Sequence, residues 1–344
     1  MPANTDNIAY IDLLYNTYDE GRIYSTGSSP MMYIDYNTMK ITTLCAKPNC
    51  THTTNECLAK IMGRTPLLME DGIYFFRYSD GIKELKNGER EHYMNSKLCH
   101  ISLDSSEVTE LVEFKDCVPR DYDGVLLYNN KIYFIGDDLN PVPDEYGNIR
   151  TSNNGGKHFL CSIDLRTNKY TNYGSVYDNT LLNEIAKNDN TAILKGIYNS
   201  KMYIAYSYCD DYDNLGEDGA PIVKDLTLEF DPKTKELKQV DIPKPLNYLT
   251  GDSYIYYDNE IKKTVILTNE QEIECNVKFD GFVAFFNNKL FGDNIWYDIT
   301  NGSVHNFDSE YWDYWVMDYY DGYYIMGVGA VTKKVSEEEL LSWE

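Results

Sequence analysis

The chain has little positive charge to offset its acids. Lys and Arg total 31 against 55 Asp and Glu, a formal net charge of −24. Such a chain repels phosphate backbones and anionic lipid, which excludes sequence-independent nucleic-acid binding and electrostatic docking on a membrane surface. A cationic partner or bound metal ions suit it better. Long apolar runs are also missing. The stretch Tyr323 to Val331 is short and carries Gly327 and Gly329, far from the ~20 residues of a spanning helix. Met1 to Asn7 is polar, with no basic n-region or apolar h-segment, so no secretory leader is read there. The expected location is extracellular or cell-surface if a leader has been removed, with the cytoplasm as the alternative. Helix signals are scarce. Thr180 to Lys187 has helical spacing, and Ser336 with Glu339 makes a capping box near the C-terminus. The sequence contains no G-x-S-x-G, no H-E-x-x-H and no phosphate-cradling glycine loop. His92, His100, His158 and His305 have no evident Ser or Cys partner.

What is present is tyrosine and a repeat. The chain holds 32 Tyr against 12 Phe and 4 Trp, and Tyr suits half-buried pleated surfaces. A two-residue turn followed by an aromatic strand recurs at Glu20-Gly21, Asp71-Gly72, Asn129-Asn130, Asn199-Ser200, Gly251-Asp252, Asn287-Asn288 and Asp321-Gly322. This is the hairpin signature. A second phrase, an apolar strand ending in Asp and a polar turn, follows at Asp35, Asp164, Asp231 and Asp298, with Ser102 in a looser copy. The Asp is placed to accept hydrogen bonds from turn amides. Two hairpins per repeat make four antiparallel strands, the blade of a β-propeller. The expected fold is all-β: one propeller domain over residues 1–344 with seven blades, six or eight being the alternatives. Repeat spacings of roughly 30 to 70 residues imply insertions.

Three constellations could carry chemistry. Cys45, Cys50, His52 and Cys57 lie within thirteen residues as C-x4-C-x-H-x4-C. Three thiolates and an imidazole suit a tetrahedral zinc ion in a structural role, although the spacing is not a standard finger. A disulfide within the cluster and a catalytic thiol are the competing readings, with Cys99, Cys117, Cys161, Cys209 and Cys275 as candidate partners. Two insertions are acidic: one with Asp144 and Glu145, the other with Asp211, Asp213 and Asp218. Their oxygen-rich turns could hold calcium, the less favoured ion, or stay solvated. The third constellation is aromatic: Tyr311, Trp312, Tyr314 and Trp315. These rings could face sugars or cations, or pack between blades.

The segment Leu44, Cys45, Pro48, Cys50, His52, Cys57 and Ala59, directly after a first blade, resembles an uncharacterised bacterial family of propellers with TolB-type repeats. Many of these are exported lipoproteins of gut Gram-positive bacteria. The resemblance implies a cell-surface β-propeller with no established activity. The function expected is a monomeric module that binds a glycan, a peptide or a protein. The alternative is a glycan-active hydrolase or lyase using carboxylates and aromatics on the loop-rich face. By the propeller register, the B–C loops and the links between blades share one face. Cys50, Asp144, Asp218 and Trp312 are therefore expected on one rim.

Overall fold

The computed structural model describes residues 9–11, 15–18, 20–24, 30–45, 47–54, 57–61, 66–86, 88, 90–102, 107–120, 124–138, 141–143, 149–151, 157–177, 190–216, 219–240, 248–250, 253–258, 260–268, 271–279, 284–292, 294–311, 314–328 and 331–343. The chain folds as a seven-bladed β-propeller of mostly four-stranded antiparallel sheets. Its contacts gather into two compact units, residues 1–13 with 61–241, and residues 14–60 with 242–344.

The first unit holds three blades. Blade 2 is β6 (Leu67–Met69), β7 (Gly72–Glu84), β8 (Arg90–Ile101) and β9 (Thr109–Phe114). Blade 3 is β11 (Val125–Tyr128), β12 (Lys131–Asp137), β15 (His158–Asp164) and β16 (Lys169–Ser175). Two short strands extend it: β1 (Ala9–Ile11) pairs with β11, and β10 (Val118–Pro119) with β12. Between β12 and β15 stands a separate hairpin, β13 (Pro141–Pro143) with β14 (Ile149–Thr151). Blade 4 is β17 (Asn190–Tyr198), β18 (Lys201–Cys209), β19 (Val223–Asp231) and β20 (Glu236–Val240).

The second unit holds four blades. Blade 1 is β2 (Tyr15–Tyr18), β3 (Gly21–Tyr24), β4 (Met32–Asp35) and β5 (Lys40–Thr43). Blade 5 is β21 (Tyr248–Thr250), β22 (Ser253–Asp258), β23 (Lys263–Thr268) and β24 (Glu272–Cys275). Blade 6 is β25 (Ala284–Phe286), β26 (Lys289–Phe291), β27 (Ile295–Asp298) and β28 (Ser303–Asn306). Blade 7 has three strands among the described residues, β29 (Trp315–Tyr320), β30 (Tyr323–Val328) and β31 (Val331–Ser336). Two short helices complete the unit, α1 (Leu58–Ile61) and α2 (Glu337–Leu341).

The turns explain the repeat. Asn129 and Asn130, Asn199 and Ser200, Asn287 and Asn288, and Asp321 and Gly322 all take positive φ between 48° and 82°. Two successive left-handed residues make the tight turn that matches the twist of paired strands, and Asn, Asp and Gly tolerate it best. In the second phrase, Asp35 Oδ1 accepts from the Thr38 amide at 2.8 Å, Asp164 Oδ1 from Arg166 at 3.0 Å, Asp231 Oδ1 from Lys233 at 2.7 Å and Asp298 Oδ1 from Thr300 at 2.8 Å. A fifth copy escaped the sequence pattern. Asp258 makes the same turn, with the Glu260 amide at 2.8 Å, but joins β22 to β23, one hairpin earlier than in the other blades.

Within each unit, neighbouring blades bury their facing surfaces against one another. Tyr74, Phe76 and Leu98 of blade 2 meet Ile132, Phe134 and Ile163 of blade 3, whose other face meets Ile204, Tyr206 and Phe230 of blade 4. In the second unit, Ile34 and Tyr36 of blade 1 meet Met317 and Ile325 of blade 7. These two blades come from opposite ends of the chain. The buried Tyr36 hydroxyl donates to Asp318 Oδ2 at 2.9 Å, and the buried Arg22 guanidinium donates to the Met317 carbonyl. Near the N-terminus, β1 pairs with β11 of blade 3.

Of the two helical expectations, Thr180 to Lys187 lies outside the described residues. The N-cap half of the C-terminal capping box forms, with Ser336 Oγ accepting from the Glu339 amide at 3.1 Å, while the Glu339 carboxylate pairs with Lys333. The helix buries Leu340, and Trp343 just beyond it, against Phe307, Val335 and neighbouring aromatics. No helix among the described residues is long and apolar enough to cross a membrane.

Two outcomes follow. Trp343→Ala should cost about 3–5 kcal/mol, against about 1 kcal/mol for Ser336→Ala, read by denaturant unfolding. A Trp343 variant as stable as the parent would contradict this packing. Separately, the hydrogen bond from Lys201 and the turn amides hold Asp231 at about 2, below its ordinary 3.8. Because its folded value is depressed, its contribution is present above pH ~4 and lost as pH falls through about 2. The pH dependence of unfolding in that window should therefore shrink in Asp231→Asn.

Candidate metal centre and binding loops

The link from β5 to β6 holds the Cys/His segment. Asn49 and His52 both take a left-handed φ of 58°, and the Cys50 amide donates to the Lys47 carbonyl at 3.3 Å. These turns bend the chain so that Cys45, Cys50 and His52 converge. The Cys57 amide reaches Thr54 O at 3.1 Å, and Lys60 N reaches Cys57 O at 2.9 Å, which sets Cys57 at the head of α1. Bonds from Met31 N to Ala59 O at 2.9 Å and from Leu44 N to Met31 O at 3.0 Å fasten the segment to blade 1.

The four ligand atoms of Cys45, Cys50, His52 and Cys57 all lie within 4.8 Å of one another, and His52 Nδ1 is 3.4 Å from Cys57 Sγ. A tetrahedral ion with bonds of ~2.0–2.3 Å has ligand–ligand edges of ~3.5–3.8 Å. The set fits such an ion with small adjustments. All eight cysteines are free thiols, so the cluster contains no disulfide. Burial, together with the neighbouring thiols, pushes the Cys57 thiol up to about 11. Burial also acts to raise Cys45. Hydrogen bonds from the Lys47 amide, the Cys50 thiol and the Leu58 amide outweigh it and hold that thiol below its ordinary value. Backbone donors aimed at sulfur favour the thiolate that a metal needs. Three sulfurs and an imidazole can hold a metal such as zinc, whereas hard ions prefer oxygen. The other cysteines, Cys99, Cys117, Cys161, Cys209 and Cys275, are buried in blades. Cys117 and Cys161 sit 3.7 Å apart, where Gly136 leaves room: a Cβ there would come within 2.4 Å of Cys117 Sγ.

Both acidic insertions join the second and third strands of their blades, as the repeat implied. Asp144 and Glu145 lie outside the described residues, as does Asp218. Asp211 and Asp213 are exposed in a hairpin between β18 and β19. Asp211 Oδ1 accepts from the Asp213 amide at 2.9 Å, and Asp210 pairs with Lys224. The hairpin closes through Ile222 N to Asn214 O at 2.9 Å and Gly216 N to Ala220 O at 2.8 Å.

The aromatic segment turns to the chain's own rings. Tyr311 stacks on Trp343 at 4.3 Å and 5°, and Tyr314 lies 5.3 Å from the same ring. Trp315 opens β29 and packs beside Met317 and Tyr320. Trp312 lies outside the described residues, so of the four residues expected on one rim only Cys50 is described. Sequence reading missed Trp343 as the partner because it follows a whole intervening blade.

A buried charged group was also missed. Asp137 ends β12 and His158 begins β15, directly opposite in register. His158 Nδ1 is 2.7 Å from Asp137 Oδ1, and its Nε2 is 3.4 Å from the Asn190 carbonyl. Arg120 Nε stands 3.7 Å from Asp137 Oδ2, and all three side chains are largely buried. The group fastens the root of the blade 3 insertion. Twenty residues separate the pair in sequence, and only the β12–β15 register brings them together.

No family model matches the chain, and no curated protein matches it. Solved structures do. An oligogalacturonate lyase from Vibrio parahaemolyticus is 10% identical at a TM-score of 0.50, over 98% of this chain and 93% of the other. An oligogalacturonate lyase in complex with manganese is 11% identical at 0.49, over 97% and 92%. Sqt1 of Saccharomyces cerevisiae is 8% identical at 0.38, over 98% and 97%. At such identities the likeness shows the fold alone.

Asp137→Ala should destabilise by about 3–5 kcal/mol, because it leaves a buried guanidinium and imidazole without their carboxylate. Chemical denaturation reads this, and a loss below about 1 kcal/mol would mean that water reaches the group in place of the carboxylate.

Proposed function

We propose that the chain is a ligand-binding or protein-interaction propeller in which a structural zinc ion, held by Cys45, Cys50, His52 and Cys57, locks the segment after blade 1. The carrying observation is the convergence of four protein ligands within 4.8 Å. Four protein ligands would fill every tetrahedral position of a zinc ion and leave none open for substrate, which is the structural pattern and not the catalytic one. The zinc supplies cross-linking, and the chain's residues do the rest. Cys57 anchors through α1, Cys45 through amide hydrogen bonds, and the left-handed turns at Asn49 and His52 hold the remaining two ligands in place. Loops carried on a rigid scaffold are where binding concentrates. Location at the bacterial surface belongs to the same proposal and draws on the likeness of the Leu44 to Ala59 segment.

Metal analysis of the purified protein should find one zinc per chain, and Cys50→Ser should lose most of it. Chelation should lower the unfolding temperature of the parent and leave the Cys50 variant unmoved. Acid should release the ion, because protons compete for the thiolates. No bound metal in protein purified under reducing conditions would end the zinc reading. For the binding role, a glycan and peptide array should yield ligands without turnover. Conversion of an oligogalacturonate to an unsaturated uronate, seen by ultraviolet absorbance, would replace binding with the lyase activity that two structural neighbours are named for.

A further inference from the structure

Ten large apolar side chains stand exposed among the described residues, and six of them belong to the first unit, two on the β7–β8 pair of blade 2 and four at the β18–β19 connection of blade 4. Tyr78 and Tyr93 project from the long β7–β8 ribbon. Tyr212, Leu215 and Ile222 lie in the connection between β18 and β19 and Val223 opens β19, each 43–52% exposed. Scattered apolar residues need no explanation, but four within twelve positions of one projecting hairpin do. The two arms stay paired: Leu215 bridges Pro221, and the Ile222 amide donates to the Asn214 carbonyl.

The same hairpin is strongly acidic. Residues 210–225 carry Asp210, Asp211, Asp213, Glu217, Asp218 and Asp225 against Lys224, a net of 1 − 6 = −5. Asp210 is occupied by Lys224, and Asp225 accepts from Ser207 Oγ at 2.6 Å. Asp211 and Asp213 flank the exposed Tyr212. Apolar side chains rimmed by carboxylates match a partner of the opposite pattern. A neutral glycan would leave the aliphatic residues wet, and an anionic polymer would be repelled.

We propose that the β18–β19 hairpin is the docking site for a cationic amphipathic polypeptide segment, with Leu215, Ile222 and Val223 receiving its apolar side chains and Asp211 and Asp213 its Lys or Arg. This assignment rests on the binding-module reading and names its partner class. The probe is a synthetic peptide of alternating Lys and Leu, titrated into the full chain at about 0.15 M salt, where exposed charges beyond ~8 Å are screened. An oligolysine of equal length and a Glu/Leu peptide serve as controls. The Lys/Leu peptide should bind and protect amides of residues 210–225 from hydrogen exchange, while the Glu/Leu peptide should not bind. L215S/I222S/V223S should weaken binding at least tenfold and D211N/D213N at least threefold, with circular dichroism unchanged in both. Unchanged affinity in the triple variant would overturn the assignment, as would oligolysine binding equally well, which would trace the attraction to net charge alone. Absence of Lys/Leu binding together with a glycan hit on the array would sink this site and leave the binding-module reading standing.

Discussion

Neighbouring blades depend on burial of the facing surfaces of small twisted sheets. A four-stranded sheet standing alone leaves both of its faces wet and two raw edges unpaired. Stacking removes that cost. In blade 3, Ile132, Phe134 and Ile163 serve the blade 2 contact while Tyr133, Ile135 and Leu160 serve the blade 4 contact. Alternation along a strand sends successive side chains to opposite faces, so a strand between two blades must be apolar nearly throughout. The burial pattern of β12, buried at every position after Lys131, is the direct result. The tyrosine-rich composition follows, since a phenol can bury its ring and lead its hydroxyl to a polar partner. Tyr36 with Asp318 and Tyr203 with Glu229 are examples.

A scaffold made this way leaves its connections free to vary. The tight turns are fixed by backbone geometry, which is why Asn and Asp recur there. The longer connections hold the Cys/His cluster and the acidic hairpin instead. The Cys/His link gathers four ligands because two left-handed residues reverse the chain within a few positions. The hairpin between β18 and β19 continues its parent strands outward and carries apolar residues that no neighbouring blade covers. Both are local structures attached to a sheet scaffold, which would limit the entropy lost on binding.

Much of the fold was legible because its determinants are local. Turn pairs such as Asn129-Asn130 and turn acids such as Asp164 act within four residues, and they gave the blade count and the strand order. The metal set was legible for the same reason, since thirteen residues contain all four ligands. The Asp258 turn was missed because the same local motif can join either pair of strands in a blade, and only pairing tells which.

The sequence by itself determined the repeat, the antiparallel blades, the cysteine–histidine cluster and the placement of the acidic insertions between second and third strands. Tertiary structure decided what distant residues do for one another. It directed Tyr311 and Tyr314 to Trp343, paired Asp137 with His158, and joined blade 1 to blade 7 through Arg22, Tyr36 and Asp318. The physical reason is the range of the forces involved. Turn conformation is set by neighbouring residues, but ring stacking and buried ion pairs need register between strands that are remote in sequence, and register exists only once the sheets have formed.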